Sequence, residues 1–535
     1  MKITIDQLEK LITMKENEHC EYKEARDQFD FKKLILYCVA LANEGGGKLF
    51  LGVTDKYPRK IVGTYAFSNI SKIKNQLLDR LHLRIDIVEI QHSNGRVVIF
   101  VIPPRPLGRP IEYKGAYWMR SGEALVPMTP DKLQRIFSET EPDFSSQICS
   151  KAKFNDLDPG AIEIFRNNWI IQSRNQSLKT LSLEQLLEDA EVVIDGEITY
   201  AALIMFGTKK ALGRYLAQTE IVFEYRSTEA STPFQHRKEY REGFFLLFDD
   251  LWETINLRNN VHHFQDGLFI WKIPSFNETV IREAILNAVS HRDYRLEGSI
   301  FIRQFPEKIE CVSPGGFPPG ISSENIIWRQ NPGNRRLAEI FSKCGLVERS
   351  GQGANRMFEQ CIKEGKKVPD FNGTDDYQVQ LTLYGKIQDP LFLKFLERLD
   401  PKTRESLNTD DLIVLDLINR EEKLPNWAKN QVQKLRKLGF IELIERKNIL
   451  SRQHYEFINK NKSYTQKNEL DKETNKELLL KYIRDNNKNG SQLKELMNIL
   501  PALSRSQVQK LLYELKKMNL IYLKGTTRSA KWYSS

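Results

Sequence analysis

The sequence predicts a multidomain α+β protein in which several compact units follow one another along the chain. Three observations carry that expectation. The 535 residues exceed what a single hydrophobic core organises. Strand-like and helix-like stretches alternate through the first two thirds, and the last third is mostly helical and repeats itself. A balance of 40% hydrophobic and 28% charged residues is that of folded domains. No apolar run approaches the roughly 20 residues that span a bilayer, and the N-terminus has no signal-peptide pattern. A cytoplasmic protein without a membrane partner is expected.

Six cysteines (Cys20, Cys38, Cys149, Cys311, Cys344, Cys361) are scattered, and none forms a CxxC pair. That spacing argues against a disulfide framework and a structural zinc site, and predicts buried thiols. The net charge of +10 is more informative once located. Residues 458–535 hold 16 Lys+Arg against 7 Asp+Glu, so nearly all the excess lies at the C-terminus. That concentration fits a phosphate-facing surface.

Residues 1–142 read as the first domain. A helix over Phe31–Ala42 carries a broad apolar face, stops at Asn43-Glu44-Gly45-Gly46-Gly47, and is followed by a strand over Lys48–Val53. Further strands are expected at Arg84–Gln91, Val97–Ile102 and Ala116–Arg120. The glycine run is no Walker loop, since no G-x4-GK-[ST] exists in the chain. It fits a helix C-cap and tight turn.

Glu16 and Glu21 lie five residues apart, and Asp55 ends the Lys48–Val53 strand. If His19–Lys23 is a strand, alternation puts Glu21 and Lys23 on one face, and a neighbouring strand can bring Asp55 beside them. Carboxylates with a lysine suit a hard divalent cation that activates water and steadies an attacked phosphate. Solvated surface carboxylates are the alternative that spacing leaves open. Arg120 is a candidate contact for the nucleic-acid phosphate.

Glu16-x4-Glu21-Tyr22-Lys23, the run from Val39 to Gly47, and Leu51-Gly52-Val53-x-Asp55 together resemble the AlbA-like domain shared with Schlafen proteins. Tyr117-Trp118-Met119-Arg120-Ser121-Gly122 is similar to a later strand of that domain. In ribonuclease-active Schlafens two glutamates and an aspartate cleave transfer or ribosomal RNA. The resemblance places these on Glu16, Glu21 and Asp55, with Mg²⁺ or Mn²⁺ implied. Many proteins with this domain are DNA-binding regulators, so binding without cutting is implied as readily.

Residues 143–269 read as a connecting α/β domain, with helices at Leu181–Asp189 and Tyr200–Phe206 and a strand at Glu220–Tyr225. Residues 270–395 form the next unit. Ser275 and Glu278 suggest a capping box for a helix running through Ser290. Strands follow at Ser299–Phe305 and Lys308–Ser313. Glu283 and Asn287 share a helix face at i and i+4; an acid and an amide so placed can poise a water and hold a magnesium ion beside a triphosphate. Arg292, Asp293, Gly315, Gly316, Gly351 and Gly353 are further candidates, the glycines allowing close backbone approach. An ordinary amphipathic helix with loops remains open.

Arg282-Glu283-Ala284-x2-Asn287, His291-Arg292-Asp293-Tyr294, Ser313-Pro314-Gly315-Gly316 and Glu348-Arg349-Ser350-Gly351-x-Gly353 resemble the ATP-binding GHKL (Bergerat) sandwich, in the divergent form found at the C-terminus of RecG-like proteins. The resemblance makes Glu283 the general base, Asn287 the magnesium ligand and ATP the cofactor. Ser313-Pro314 replaces the aspartate that reads adenine in better-known members. Nothing supports helicase action, for want of a Walker motif.

At the C-terminus, Asn430-Gln431-Val432-Gln433-Lys434-Leu435 returns as Ser506-Gln507-Val508-Gln509-Lys510-Leu511. Each copy runs into an apolar strand, Phe440–Ile444 and Leu520–Lys524. That order predicts tandem winged helix-turn-helix units at 400–458 and 476–535, joined by a linker at 459–475. In the second, Arg505, Lys510, Lys516 and Lys517 sit beside an apolar stripe, and Lys524 and Arg528 lie on the wing. These are the candidate nucleic-acid contacts. The first copy is less basic and is expected to pack or dimerise.

Two functions follow. One is a metal-dependent endoribonuclease gated by nucleotide, for which phage defence or a stress response is a natural role. The other is an ATP-responsive DNA-binding transcriptional regulator without nuclease activity. A homo-oligomer is compatible with both.

Overall fold

The fold was analysed in a computed structural model. It describes residues 3–13, 16–140, 143–229, 233–266, 269–329, 331, 333–347, 353–388, 392, 396, 406–444, 447–451, 472–487, 490–500, 503, 505–525 and 530–535. Gly351 and Arg528, the Glu348-Arg349-Ser350 piece of the nucleotide motif, and residues 459–471 of the expected linker lie outside them. The chain is a multidomain α+β protein that divides into two compact units, Met1–Gln147 with Phe317–Ser322, and Ile148–Gly316 with Ser323–Ser535.

In the N-terminal unit a four-stranded sheet has the order Cys20–Lys23, Gly47–Leu51, Gly95–Ile102, Asp86–His92. The first pair is parallel, with Glu21 opposite Leu49 and Lys23 opposite Leu51. The helix Phe31–Asn43 covers one face, where Leu34, Cys38 and Leu41 pack on Leu49, Leu51, Val98 and Phe100. On the other face Tyr22 stacks on Phe50 with ring centroids 4.8 Å apart, near Leu8 of the helix Ile5–Leu11.

The Asn-Glu-Gly-Gly-Gly run has a local structural reason. Asn43 is buried at the helix end; its amide donates to the Ile111 and Trp118 carbonyls at 3.0 and 2.9 Å and accepts from Ile111 N. It thereby ties the helix to the strand Ala116–Ser121. Gly46 has φ +95°, and a Cβ there would lie 2.9 Å from the Ile102 carbonyl oxygen. A Cβ on Gly47 would lie 2.5 Å from the His19 carbonyl oxygen, where the two parallel strands begin. The glycines form a helix exit and a close strand approach.

The second unit is built on a five-stranded mixed sheet ordered His236–Tyr240, Ile221–Tyr225, Ile300–Gln304, Lys308–Pro314, Gln378–Tyr384. Strand alternation buries Phe223, Ile302, Cys311 and Leu381 on one face. The sheet takes strands from both sides of the 269/270 boundary expected from sequence, because Ile221–Tyr225 pairs in parallel with Ile300–Gln304. The helix expected after Ser275 spans Glu278–His291, but its cap is Asn277, whose side chain accepts from Thr279 N and Val280 N. Ser275 is buried, its Oγ 2.9 Å from His262 Nε2.

Both copies of the repeat form a helix followed by a two-strand ribbon. The first is Lys429–Lys437 with Ile441–Ile444 and Lys447–Leu450; the second is Arg505–Lys517 with Ile521–Lys524 and Lys531–Ser534. The helix before the second copy begins at Lys472, inside the segment expected as linker. Their cores differ. Val432, Leu435 and Ile441 share a core with Ile327, Phe358 and Ile362, whereas Val508, Leu512 and Ile521 pack on Leu479, Ile483 and Leu496 of their own segment.

All six cysteines are thiols, five of them buried. Burial pushes the Cys311 and Cys361 thiols up to about 12. No helix among the described residues is long and apolar enough to cross a membrane.

Candidate functional site

Alternation in the strand Cys20–Lys23 sends Glu21 and Lys23 toward the helix Phe31–Asn43. There Lys23 Nζ lies 2.5 Å from Glu21 Oε1 and 3.3 Å from Asp55 Oδ2. Asp55 also accepts from the Glu24 amide at 2.9 Å, which fixes its carboxylate at the end of the neighbouring strand. Burial works against the charge on Lys23, but the hydrogen bond and the charge of Glu21 outweigh it and hold the ammonium protonated.

Glu21 is 1% exposed. Its second oxygen pairs with Arg120 Nη1, and Arg120 is itself buried. Tyr37 closes the group: the Arg120 guanidinium and the Lys23 ammonium lie 5.9 and 5.7 Å from its ring centre. Burial and the Glu21 charge push the Tyr37 hydroxyl up. Arg120, expected at a nucleic-acid phosphate, is placed in the interior against Glu21.

Glu16 takes a different place. Its Oε1 accepts from Tyr22 N at 3.1 Å and lies 3.8 Å from an Arg59 nitrogen. Desolvation, then the charge of Glu21, pushes its carboxyl up. Among the described residues no three side chains converge to hold a metal ion. Glu16, Glu21 and Asp55, expected on one ion, are not brought together. A lysine ammonium stands between Glu21 and Asp55, so these residues as arranged do not fit a divalent cation.

What reaches solvent is the Lys23–Asp55 edge. It opens on a cleft of about 400 Å³ lined by Lys23, Glu24, Ala25, Phe29, Thr54, Asp55 and Lys56. Sequence reasoning missed Tyr37, Arg59 and Lys56. Tyr37 lies on the apolar helix, where an aromatic reads as core, and Arg59 carries no local signal.

In the second unit Glu283 and Asn287 face one another across one helical turn, with Asn287 Nδ2 donating to Glu283 Oε1 at 3.1 Å. Glu283 is buried. The helix Gly353–Lys363 starts directly against it: a Cβ on Gly353 would lie 1.8 Å from Glu283 Oε1. Gly353 is thus the counterpart of Glu283 rather than an open backbone surface.

Arg292 is buried and donates to the carbonyls of Asp293, Leu296 and Gly298 at 2.6, 2.9 and 2.6 Å. Arg292, expected at a nucleotide, braces its own loop. The Asp293 carboxylate accepts from Arg295 N and Nε. Gly315, at φ +98°, lies against Asp293, where a Cβ would be 2.8 Å from the aspartate Cβ. Gly316 follows it, half-buried. Asn334 donates to the Ser290 and Arg292 carbonyls at the end of the helix Glu278–His291.

At the C-terminus Arg505, Lys510, Lys516, Lys517 and Lys524 are all exposed. Lys434, the first-copy counterpart of Lys510, is not equivalent: its ammonium pairs with the buried Asp411 and donates to Ser406 O at 2.9 Å.

Three known families match parts of the chain. Residues 16–129 match the family described as Schlafen, AlbA_2, a span that holds Glu16, Glu21, Lys23, Asp55 and Arg120. Residues 297–383 match the family described as "Putative ATP-dependent DNA helicase recG C-terminal". That match begins beyond the helix bearing Glu283 and Asn287. Residues 134–222 match a domain of unknown function. No curated protein matches the chain. Among solved structures, the DIP2311 protein of Corynebacterium diphtheriae is similar at 21% identity and a TM-score of 0.50, over 85% of this chain and 98% of that one. That likeness concerns the fold alone.

Proposed function

From a chain that carries a Schlafen/AlbA_2 domain and a RecG-type C-terminal ATPase-like domain, we propose a nucleic-acid-handling protein with an ATP-binding module and an endoribonuclease N-terminal unit. One observation carries the reading: a buried Glu21 holds a charged Lys23 against Asp55 at the mouth of a cleft that also presents Lys56. Two lysines in a cleft that also holds Asp55 and Glu24 suit a phosphodiester. The lysines fix the phosphate, Asp55 is the group positioned to accept a proton, and Glu21 with Arg120 positions Lys23. Magnesium or manganese would require Lys23 to leave its place between Glu21 and Asp55.

In this reading the second unit binds ATP in a GHKL-type (Bergerat) sandwich, with Glu283 and Asn287 facing the triphosphate once Gly353 withdraws. The C-terminal repeats are winged helices, and Arg505, Lys510, Lys516, Lys517, Lys524 and Arg528 meet nucleic acid. The exposed basic helix Arg505–Lys517 favours a second reading, a DNA-binding regulator whose N-terminal unit binds without cutting.

The test uses transfer RNA, single-stranded DNA and duplex DNA, with and without Mg²⁺ or Mn²⁺, and the Lys23→Met and Asp55→Asn variants. Cleavage of RNA that both variants lose supports the nuclease. Binding without cleavage leaves the regulator, and no binding of any nucleic acid removes both. ATP with Mg²⁺ raises the melting temperature if the second unit binds it, and Asn287→Ala loses that rise.

A further inference from the structure

The last 64 residues end in a three-stranded sheet ordered Ser491–Gln492, Lys531–Ser534, Ile521–Lys524. Its two faces differ in kind. Ile521 is buried, Ser491 is buried and Trp532 packs on the segment's core, so that face points inward. Alternation then turns Tyr522, Lys524, Lys531, Tyr533 and Gln492 outward together. The register pairs Tyr522 with Tyr533 and Lys524 with Lys531, and sets Gln492 beside Lys531.

The outward face is ordered. The Tyr522 and Tyr533 rings are stacked, with centroids 5.6 Å apart and planes 19° from parallel. Tyr533 is backed by Gly490, where a Cβ would come within 2.4 Å of its ring. Tyr522 stands on the edge strand and is 46% exposed, and no strand among the described residues lies beyond its second ring face. Lys524 follows on the same face, about 7 Å along the strand. That is on the scale of the step from one nucleotide to the next. Residues 472–535 hold 13 Lys+Arg against 5 Asp+Glu; of these acids Glu495 lies at the sheet, its carboxylate accepting from Gln492 N at 2.9 Å.

We infer that this face is a stacking platform for a single-stranded stretch of nucleic acid. A splayed base continues the Tyr533–Tyr522 stack at the sheet edge, while Lys524 and Lys531 meet the flanking phosphates. A duplex keeps its base faces covered along its length, so it does not offer the surface that Tyr522 takes. The platform is distinct from the phosphate contacts of the helix Arg505–Lys517. It rests on the reading of the chain as a nucleic-acid-binding protein.

The experiment uses the full chain and fluorescent 20-nucleotide probes: single-stranded RNA, single-stranded DNA, an abasic single strand of equal charge, and duplex. The two single strands with bases are expected to bind more tightly than the abasic strand. Tyr522→Ala is expected to weaken them roughly 5- to 150-fold, the range for one base–aromatic stack, and to leave the abasic strand and duplex unchanged. Tyr522→Phe keeps the ring and is expected to keep the affinity. Lys524→Ala is expected to lower the salt slope by about 0.7 on single strands.

Equal weakening by Tyr522→Phe and Tyr522→Ala overturns the stacking, as does an alanine variant that binds single strands like the parent. Displacement of the oligonucleotide by polyglutamate at equal charge, with the same loss in both tyrosine variants, reassigns the face to an acidic peptide and overturns it too. Duplex binding that persists while any of these holds leaves the broader nucleic-acid reading intact. Absence of binding to all four probes removes both.

Discussion

Arg120 Nη1 meets Glu21 Oε2 inside the N-terminal unit, with both side chains withdrawn from water. Glu21 therefore carries two roles that a single substitution cannot separate. It balances Arg120 in the interior, and it holds Lys23 at the cleft.

Glu21→Ala is expected to destabilise the N-terminal unit by about 3–5 kcal/mol, because it leaves a buried guanidinium without a counter-charge. Glu21→Ala with Arg120→Met should recover most of that loss. Hydrogen exchange over the strands Cys20–Lys23 and Gly47–Leu51 reads the stability of this unit directly. A Glu21→Ala protein with unchanged protection would show that the pair contributes nothing. Asp55→Asn, at an exposed carboxylate, tests the chemistry without removing the buried Glu21–Arg120 pair.

The geometry at Glu283 makes a second expectation. Gly353→Ala adds a methyl 1.8 Å from Glu283 Oε1, so either the carboxylate turns or the helix Gly353–Lys363 shifts. Gains in helix propensity from alanine are smaller than that clash, and a net loss of about 1–3 kcal/mol is expected. Glu283→Ala should relieve the clash. A double-mutant cycle in urea is expected to give a coupling of at least about 1 kcal/mol. Strict additivity would mean the two residues do not touch.

These sites show what the sequence could carry. Strand periodicity placed Glu21 and Lys23 on one face and put Asp55 at the end of the next strand, since both follow from alternation. It could not show that Lys23 would stand between the two carboxylates, nor that Arg120, some 100 residues later, would be drawn in. That choice is made by burial: a carboxylate enclosed under a helix needs cations nearer than any ion from solvent. The Asn277 cap was missed for a related reason. Ser275 has the right residue type, yet the chain enters the helix two residues later, after Ser275 has turned inward to His262. Families 16–129 and 297–383 were both legible from short motifs. The sheet joining Ile221–Tyr225 to Ile300–Gln304 was not, because parallel pairing over that separation leaves no local mark.

His291 gives a pH dependence. It ends the helix Glu278–His291; desolvation lowers its imidazole to about 4, and its buried Nδ1 has no hydrogen-bond partner among the described residues. The residue as a whole keeps some exposure, so the ring's desolvation is local. A folded value below the unfolded one means that the unfolded state binds the proton more readily. Stability is then full above about 6.5 and falls as pH drops from about 6.5 to about 4. The loss is on the order of 1–3 kcal/mol. Urea midpoints from pH 8 to pH 4 should fall in the parent chain and fall less in His291→Gln. Parallel curves for the two would exclude His291 as the cause.

The two repeat copies differ most sharply at one lysine. In the first, Lys434 neutralises Asp411, which is fully buried and also accepts from Asn408 N at 3.0 Å. In the second, Lys510 is exposed and forms no ion pair among the described residues. Lys434→Ala is expected to lower stability by about 1–2 kcal/mol, less than a fully buried pair would cost because the lysine is partly solvated. Its effect on the salt slope of nucleic-acid binding should be nil. Lys510→Ala should do the reverse, leaving stability within about 0.5 kcal/mol and reducing the slope on duplex by about 0.9. Urea unfolding and a salt titration on the same two proteins decide the matter. If Lys434→Ala weakened binding as much as Lys510→Ala while leaving stability intact, both copies would face nucleic acid, and the division between a packing copy and a binding copy would fail.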